Sequence, residues 1–136
     1  MKLYLDENLP YQALVEPLTK LYRRHTFRHP DQETLRGVED MELFEYLAER
    51  DFDAIITQDA NQLTNADERT GLRTAGLHWI GVPQLNEAGL HGIAAVAGMV
   101  ISGLPFFLES EVEVPHIYRL KPAARKAKRG PEVEPV

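Results

Sequence analysis

Asp53-Ala54-Ile55-Ile56-Thr57-Gln58-Asp59 is the stretch that decides the fold. Its apolar centre is too short for a helix and is enriched in β-branched residues, so it reads as a strand of a parallel sheet. On both sides of it, apolar runs of strand length alternate with longer stretches of helical period, the pattern of a parallel sheet covered by helices. Lys2 to Leu5 reads as a first strand, and Leu9 to Tyr22 as a helix with Leu14, Leu18 and Leu21 spaced for one face. His25 to Arg28 reads as a second strand. A polar loop, His29 to Val38, ends in Glu39-Asp40, which open a helix through Arg50, since acids at a helix start suit the macrodipole. Met41, Leu43, Phe44 and Leu47 form its expected buried stripe. A helical or irregular stretch from Asn61 to Ala75 leads to a further strand, His78 to Val82, and then to an apolar helix from Leu85 to about Gly103. Val112 to Leu120, alternating at Val112, Val114 and Ile117, completes the chain as a last strand or edge hairpin. The expected fold class is α/β, with four or five mainly parallel strands.

The chain has 136 residues, the size of one ordinary domain. Its 43% hydrophobic and 26% charged content is that of a packed globule. With no cysteine, disulfides, thiolate nucleophiles, zinc-cysteine sites and iron-sulfur clusters are excluded. Asp6 interrupts the N-terminus before an apolar h-region develops, so no secretory signal is read and a cytoplasmic setting is expected. The uncharged run from Ala88 to Leu108 is broken by five Gly or Pro residues and has no basic anchor beside it, so a buried helix is expected rather than a membrane span. Charge divides the chain: residues 1 to 120 hold 10 basic and 19 acidic side chains, whereas residues 121 to 136 hold five basic and two acidic. The expected organisation is one domain over 1–120 and a flexible basic C-terminal tail over 121–136.

In an open parallel sheet the loops at the carboxyl ends of the strands converge on one crevice. The first strand ends in Asp6-Glu7-Asn8, the next helix opens with Glu39, Asp40 and Glu42, and the strand ending at Thr57 is followed by Asp59 and Asn61. Carboxylates gathered at about 4 Å would repel one another by roughly 4 kcal/mol at an effective dielectric of 20. A hard cation, Mg²⁺ or Mn²⁺, would relieve that repulsion and favour phosphodiester hydrolysis by a bound water. The same spacing suits Asp6 and Asp59 as caps of the helices that follow them.

The motifs Leu3-Tyr4-Leu5-Asp6-Glu7-Asn8-Leu9-Pro10, Val38-Glu39-Asp40-Met41-Glu42-Leu43-Phe44-Glu45-Tyr46-Leu47-Ala48 and Ala54-Ile55-Ile56-Thr57-Gln58-Asp59 resemble the PIN-like family of small bacterial proteins over residues 1 to 63. The resemblance implies a three-layer α/β/α sandwich and a ribonuclease, many such domains being toxins of toxin-antitoxin pairs that use Mg²⁺ or Mn²⁺. It implies Asp6 as the central metal ligand, Asp40 (or Glu39 or Glu42) as the second and Asp59 as the third. RNA is then the substrate, and a cognate antitoxin protein a partner. Relatives often read T-x-D-x-D-F, and here the second Asp is Asn61, which offers a carbonyl oxygen without charge; Asp67 or Glu68 is the nearest substitute. Asn8 suits either the orientation of a water or phosphate or a helix cap.

Arg28 and Arg36 could contact phosphates beside the crevice, and Lys126 and Arg129 in the tail could attract RNA without regard to sequence. A solvated rim and a solubilising tail are their plainer readings. The scattered histidines are assigned no metal, and Trp79 and Phe106-Phe107 read as packing residues. Gly92, Ala95 and Gly98 would let a second helix approach closely, so a homodimer contact there competes with packing on the sheet. Two other functions compete with the nuclease: a binding module that keeps the fold but has weak or no metal affinity, and a phosphoacceptor receiver domain accepting a phosphoryl group on Asp59.

Overall fold

The computed structural model describes residues 1–123 and 126–135, apart from the side chains at 126 and 127. The Lys126 side chain, read above as an RNA contact, therefore lies outside the described residues. The strands are β1 (Lys2–Leu5), β2 (Thr26–Arg28), β3 (Ala54–Thr57), β4 (His78–Gly81) and β5 (Ile117–Arg119). The helices are α1 (Tyr11–Leu21), α2 (Pro30–Glu33), α3 (Asp40–Glu49), α4 (Asn61–Thr64), α5 (Ala66–Ala75), α6 (Gly89–Leu108) and α7 (Lys126–Arg129).

All five strands are parallel, in the order β2-β1-β3-β4-β5. Side chains alternate across the sheet, as the two-residue period of a strand requires. Leu3, Leu5, Ala54, Ile56, Ile80 and Val82 pack with α1 and α6 on one face. Tyr4, Ile55 and Trp79 pack with α3 and α5 on the other. A strand covered on both faces has no polar side to show, which is why Ala54-Ile55-Ile56 is continuously apolar. The architecture is therefore a three-layer α/β/α sandwich.

Several elements differ from the sequence reading. The loop after β2 contains α2, and the stretch from Asn61 to Ala75 is two helices, α4 and α5. Leu21 and Met41, assigned to buried faces, are exposed: Leu21 is the last residue of α1, and Met41, in the first turn of α3, lies against Gly71 of α5 in an open groove between the two helices. Val112 and Val114 are exposed and lie outside β5. The short β4 offers partners to Ile117, Tyr118 and Arg119, leaving nothing for an upstream extension to pair with. Phe107 is buried as expected, whereas Phe106 is exposed.

α6 starts later than expected and runs past Gly103 through Pro105. Proline lacks the N–H that would bond the carbonyl four residues earlier, at Ile101. The Tyr22 hydroxyl donates to that Ile101 carbonyl at 2.5 Å, so the break in the ladder is filled from the turn after α1. By length and composition α6 is apolar enough to cross a membrane. In the fold Val96, Met99, Val100, Leu104 and Phe107 are buried in the core on the α1 side of the sheet. In the tail, Arg129 on α7 pairs with Glu87 at 2.7 Å.

Candidate functional site

β1 and β3 are neighbours in the middle of the sheet, and the chain leaves them toward opposite layers. Their carboxyl ends therefore open a crevice at the switch point of an α/β sheet, the place where such folds bind ligands. Asp6 follows β1 directly, and its N–H donates to the Ile56 carbonyl at 2.9 Å, extending the ladder by one residue. That bond turns the carboxyl inward: Asp6 is only 6% exposed.

The buried carboxylate is held by four donors. Oδ1 accepts the Glu7 backbone N–H at 2.8 Å. Oδ2 accepts the Thr57 hydroxyl at 2.7 Å and the side-chain amides of Asn8 at 3.3 Å and Gln62 at 3.4 Å. Asn8 also donates to Thr57 Oγ1 at 3.1 Å and accepts the Gln58 backbone N–H at 2.9 Å, tying the loops after β1 and β3 together. Neither residue caps a helix: α1 begins after Pro10 without a side-chain cap. Asp59 accepts the N–H of Asn61 at 2.9 Å in a turn just before α4, whose N-cap is Ala60 without a side-chain cap bond, so Asp59 does not cap that helix.

The second carboxylate comes from the other layer. Asp40 opens α3, and its Oδ1 accepts the Gln62 Nε2 at 2.8 Å. One amide nitrogen thus stands between Asp6 and Asp40. Gln62 is fully buried and is fixed at its other end, where the Trp79 indole N–H donates to Oε1 at 3.1 Å. The indole is seated over Gly81, where a Cβ would come within 2.2 Å of the ring.

Charge in the crevice is unbalanced. The Asp6 carboxyl is raised above the ordinary range, chiefly by burial, with the charges of Asp40 and Glu7 adding to it and the bonds from Thr57 and Glu7 opposing. Asp40 is raised by burial and by Asp59, Glu39 and Glu7. Glu68, on α5, is raised by burial and by Asp40, Asp59 and Glu39. Among the described residues no lysine or arginine forms an ion pair with any of the three, nor with Asp59. Among the described residues no three acidic or imidazole side chains form a ready-made metal shell either. Excess negative charge on hard oxygen donors fits Mg²⁺ or Mn²⁺ resting on one or two carboxylates and keeping much of its water. Asp6 and Asp40 are the residues that would hold it, with Asp59 and Glu68 adding to the local field.

This electrostatic picture has a measurable consequence. A folded pKa above the unfolded value means that the charged form of Asp40 costs stability. The cost is absent at low pH, where the carboxyl is protonated in both states, and complete above the folded pKa. Asp40→Asn keeps an acceptor for Gln62 and removes the charge. In metal-free thermal melts the variant is expected to exceed the parent by a few degrees near neutral pH, with the gap closing as pH falls below the carboxylate range. Identical melts at every pH would contradict the repulsion.

The remaining residues named from sequence are dispersed. Glu7 lies on the rim and accepts the Gly37 N–H at 3.0 Å. Glu39 precedes α3 without capping it. Glu42 and Asp67 line a groove between α3 and α5, away from Asp6, so Glu68 rather than Asp67 is the extra acid at the site. Arg28 is paired with Glu33 at 2.6 Å, and Arg36 with Asp31. Arg119, which the sequence reading passed over, lines a cavity with Asp59 and Asn61. Gln62 was also missed; its signal is a polar side chain where the motif of relatives carries Phe.

A family model described as PIN like domain matches residues 1–84, a span that contains β1 to β4 and Asp6, Asp40, Asp59 and Gln62. No curated protein and no solved structure matches the chain.

Proposed function

Because the chain belongs to the PIN-like domain family, we propose that it is a cytoplasmic Mg²⁺- or Mn²⁺-dependent endoribonuclease of the toxin type, cutting single-stranded RNA at the crevice between β1 and β3. The observation that carries this reading is the pair Asp6 and Asp40, joined through one amide and balanced by no cationic side chain among the described residues. Asp6 and Asp40 would hold the Mg²⁺ or Mn²⁺, which would supply an activated water and neutralise charge on the phosphate. The chain's own residues prepare the site for it. Thr57 and the Glu7 N–H fix the Asp6 carboxylate, Asn8 locks the two loops that flank it, and Trp79 orients Gln62 against Asp40. A cognate antitoxin protein is the partner this reading implies.

Labelled single-stranded RNA incubated with the protein and Mn²⁺ is expected to be cut at internal positions, with EDTA stopping the reaction. A second reading, a PIN-like module that binds RNA without cutting it, is favoured by the Gln62 amide between the carboxylates and by Asn61 in place of an acid. RNA binding with no cleavage under Mg²⁺ or Mn²⁺ would establish that reading in place of the nuclease.

A further inference from the structure

The carboxyl ends of β3, β4 and β5 border an open cavity of about 750 Å³, within the volume range of small-ligand sites. Its floor is apolar, with Val82, Pro83 and Leu120 among its walls. Four side-chain amides line it, Asn8, Gln58, Asn61 and Gln84, and that of Asn8 is already engaged by Asp6, Thr57 and Gln58. Gln58 makes one long contact, to the Pro83 carbonyl at 3.5 Å. Among the described residues the amides of Asn61 and Gln84 have no hydrogen-bond partner, and the exposed Arg119 guanidinium on the same rim is in no ion pair. An apolar surface bordered by side-chain amides, each offering a donor and an acceptor, matches the chemistry of a nucleobase, whose faces are apolar and whose edge alternates donors and acceptors. A second cavity of about 430 Å³ shares Gln58 and Gln84 with the first and continues toward the start of α6. A groove that continues past one base-sized slot suits a polymer better than a free nucleotide.

We propose that this cavity is a nucleobase subsite for single-stranded RNA, in which Gln58, Asn61 and Gln84 meet the base edge and Arg119 the adjoining phosphate. Asp59 lines the cavity, as does Asn8, whose amide donates to Asp6 at 3.3 Å, so the occupied cavity lies beside the acidic pair. The proposal rests on the reading of RNA as substrate and assigns where the base next to the cut is held. Trp79 is too buried to stack on the base and contributes to the floor instead.

The test uses the whole chain in EDTA, so that no cleavage intervenes, and two fluorescent oligoribonucleotides of equal length: one normal, one carrying a run of abasic riboses. The normal strand is expected to bind at least about tenfold more tightly, the discrimination that one good amide-to-base contact provides. Gln84→Ala and Arg119→Ala, both at exposed positions outside the acidic pair, are each expected to weaken the normal strand by about tenfold. Gln84→Ala should leave the abasic strand unchanged, while Arg119→Ala should weaken both. Equal binding of normal and abasic strands, or no effect of either substitution, would overturn the subsite. The two proposals fail separately. Base-dependent binding without cleavage in Mn²⁺ removes the nuclease and leaves the subsite, whereas cleavage of abasic and normal strands at equal rates removes the subsite and leaves the nuclease.

Discussion

Asp6→Asn is expected to reduce Mn²⁺-dependent RNA cleavage by at least about 100-fold, beyond the losses of about 10–100-fold that follow removal of groups merely supporting a metal ligand. Asp6 is the centre of the crevice: both oxygens are engaged, and the groups that hold it come from the loop after β1, from β3 and from α4. Asparagine keeps the shape and can still accept the Glu7 N–H. It removes one negative charge and turns an amide toward Gln62, which also donates. Circular dichroism and thermal melts separate loss of chemistry from loss of fold. Asp40→Asn, at a less buried position whose partner is retained, serves as the second variant and should lose cleavage as well. Full activity in either folded variant would remove the acidic pair from the mechanism.

Gln62→Glu carries the second large effect, and its sign depends on metal. The substitution is nearly isosteric, so one oxygen continues to accept the Trp79 indole N–H. The other replaces a donor standing between Asp6 and Asp40 with a third carboxylate oxygen. Without metal, an added buried charge facing two others costs about 3 kcal/mol or more. At roughly 3–5 °C per kcal/mol for a domain of this size, the EDTA melt should fall by about 10 °C or more near neutral pH. Lowering the pH should restore much of that loss, because three crowded carboxyls share protons readily. Added Mn²⁺ should raise the melting temperature of the variant by more than it raises the parent's, since the new oxygen completes an acidic set where an amide stood. A variant that melts like the parent in EDTA, or that ignores Mn²⁺, would contradict the proposal that Asp6 and Asp40 hold a cation.

The sheet was legible because buried parallel strands carry their signal locally. Lys2 to Leu5 and the core of Asp53 to Thr57 are strands as read, since no neighbouring polar residue competes for the assignment. Edges were less legible. The alternation at Val112 and Val114 is a fair strand signal, but a strand needs a partner, and β4 is too short to pair with them. Asp6 and Asp40 come together through chain segments that the strand-end argument already brought to one crevice. The turn of the Asp59 carboxyl toward the Asn61 N–H depends on a local rotamer that spacing does not encode. Gln62 was hidden for a different reason. A glutamine in a polar helical stretch reads as solvent-facing, and its burial becomes intelligible only when the indole N–H of Trp79, 17 positions later, arrives beneath it.

Equilibrium dialysis against Mn²⁺ tests the central claim most directly, since it needs neither RNA nor turnover. One ion is expected to bind per parent chain and to be lost in the Asp6→Asn, Asp40→Asn double variant that still folds. Equal Mn²⁺ uptake by parent and double variant, or none by the parent at millimolar ion, would contradict it.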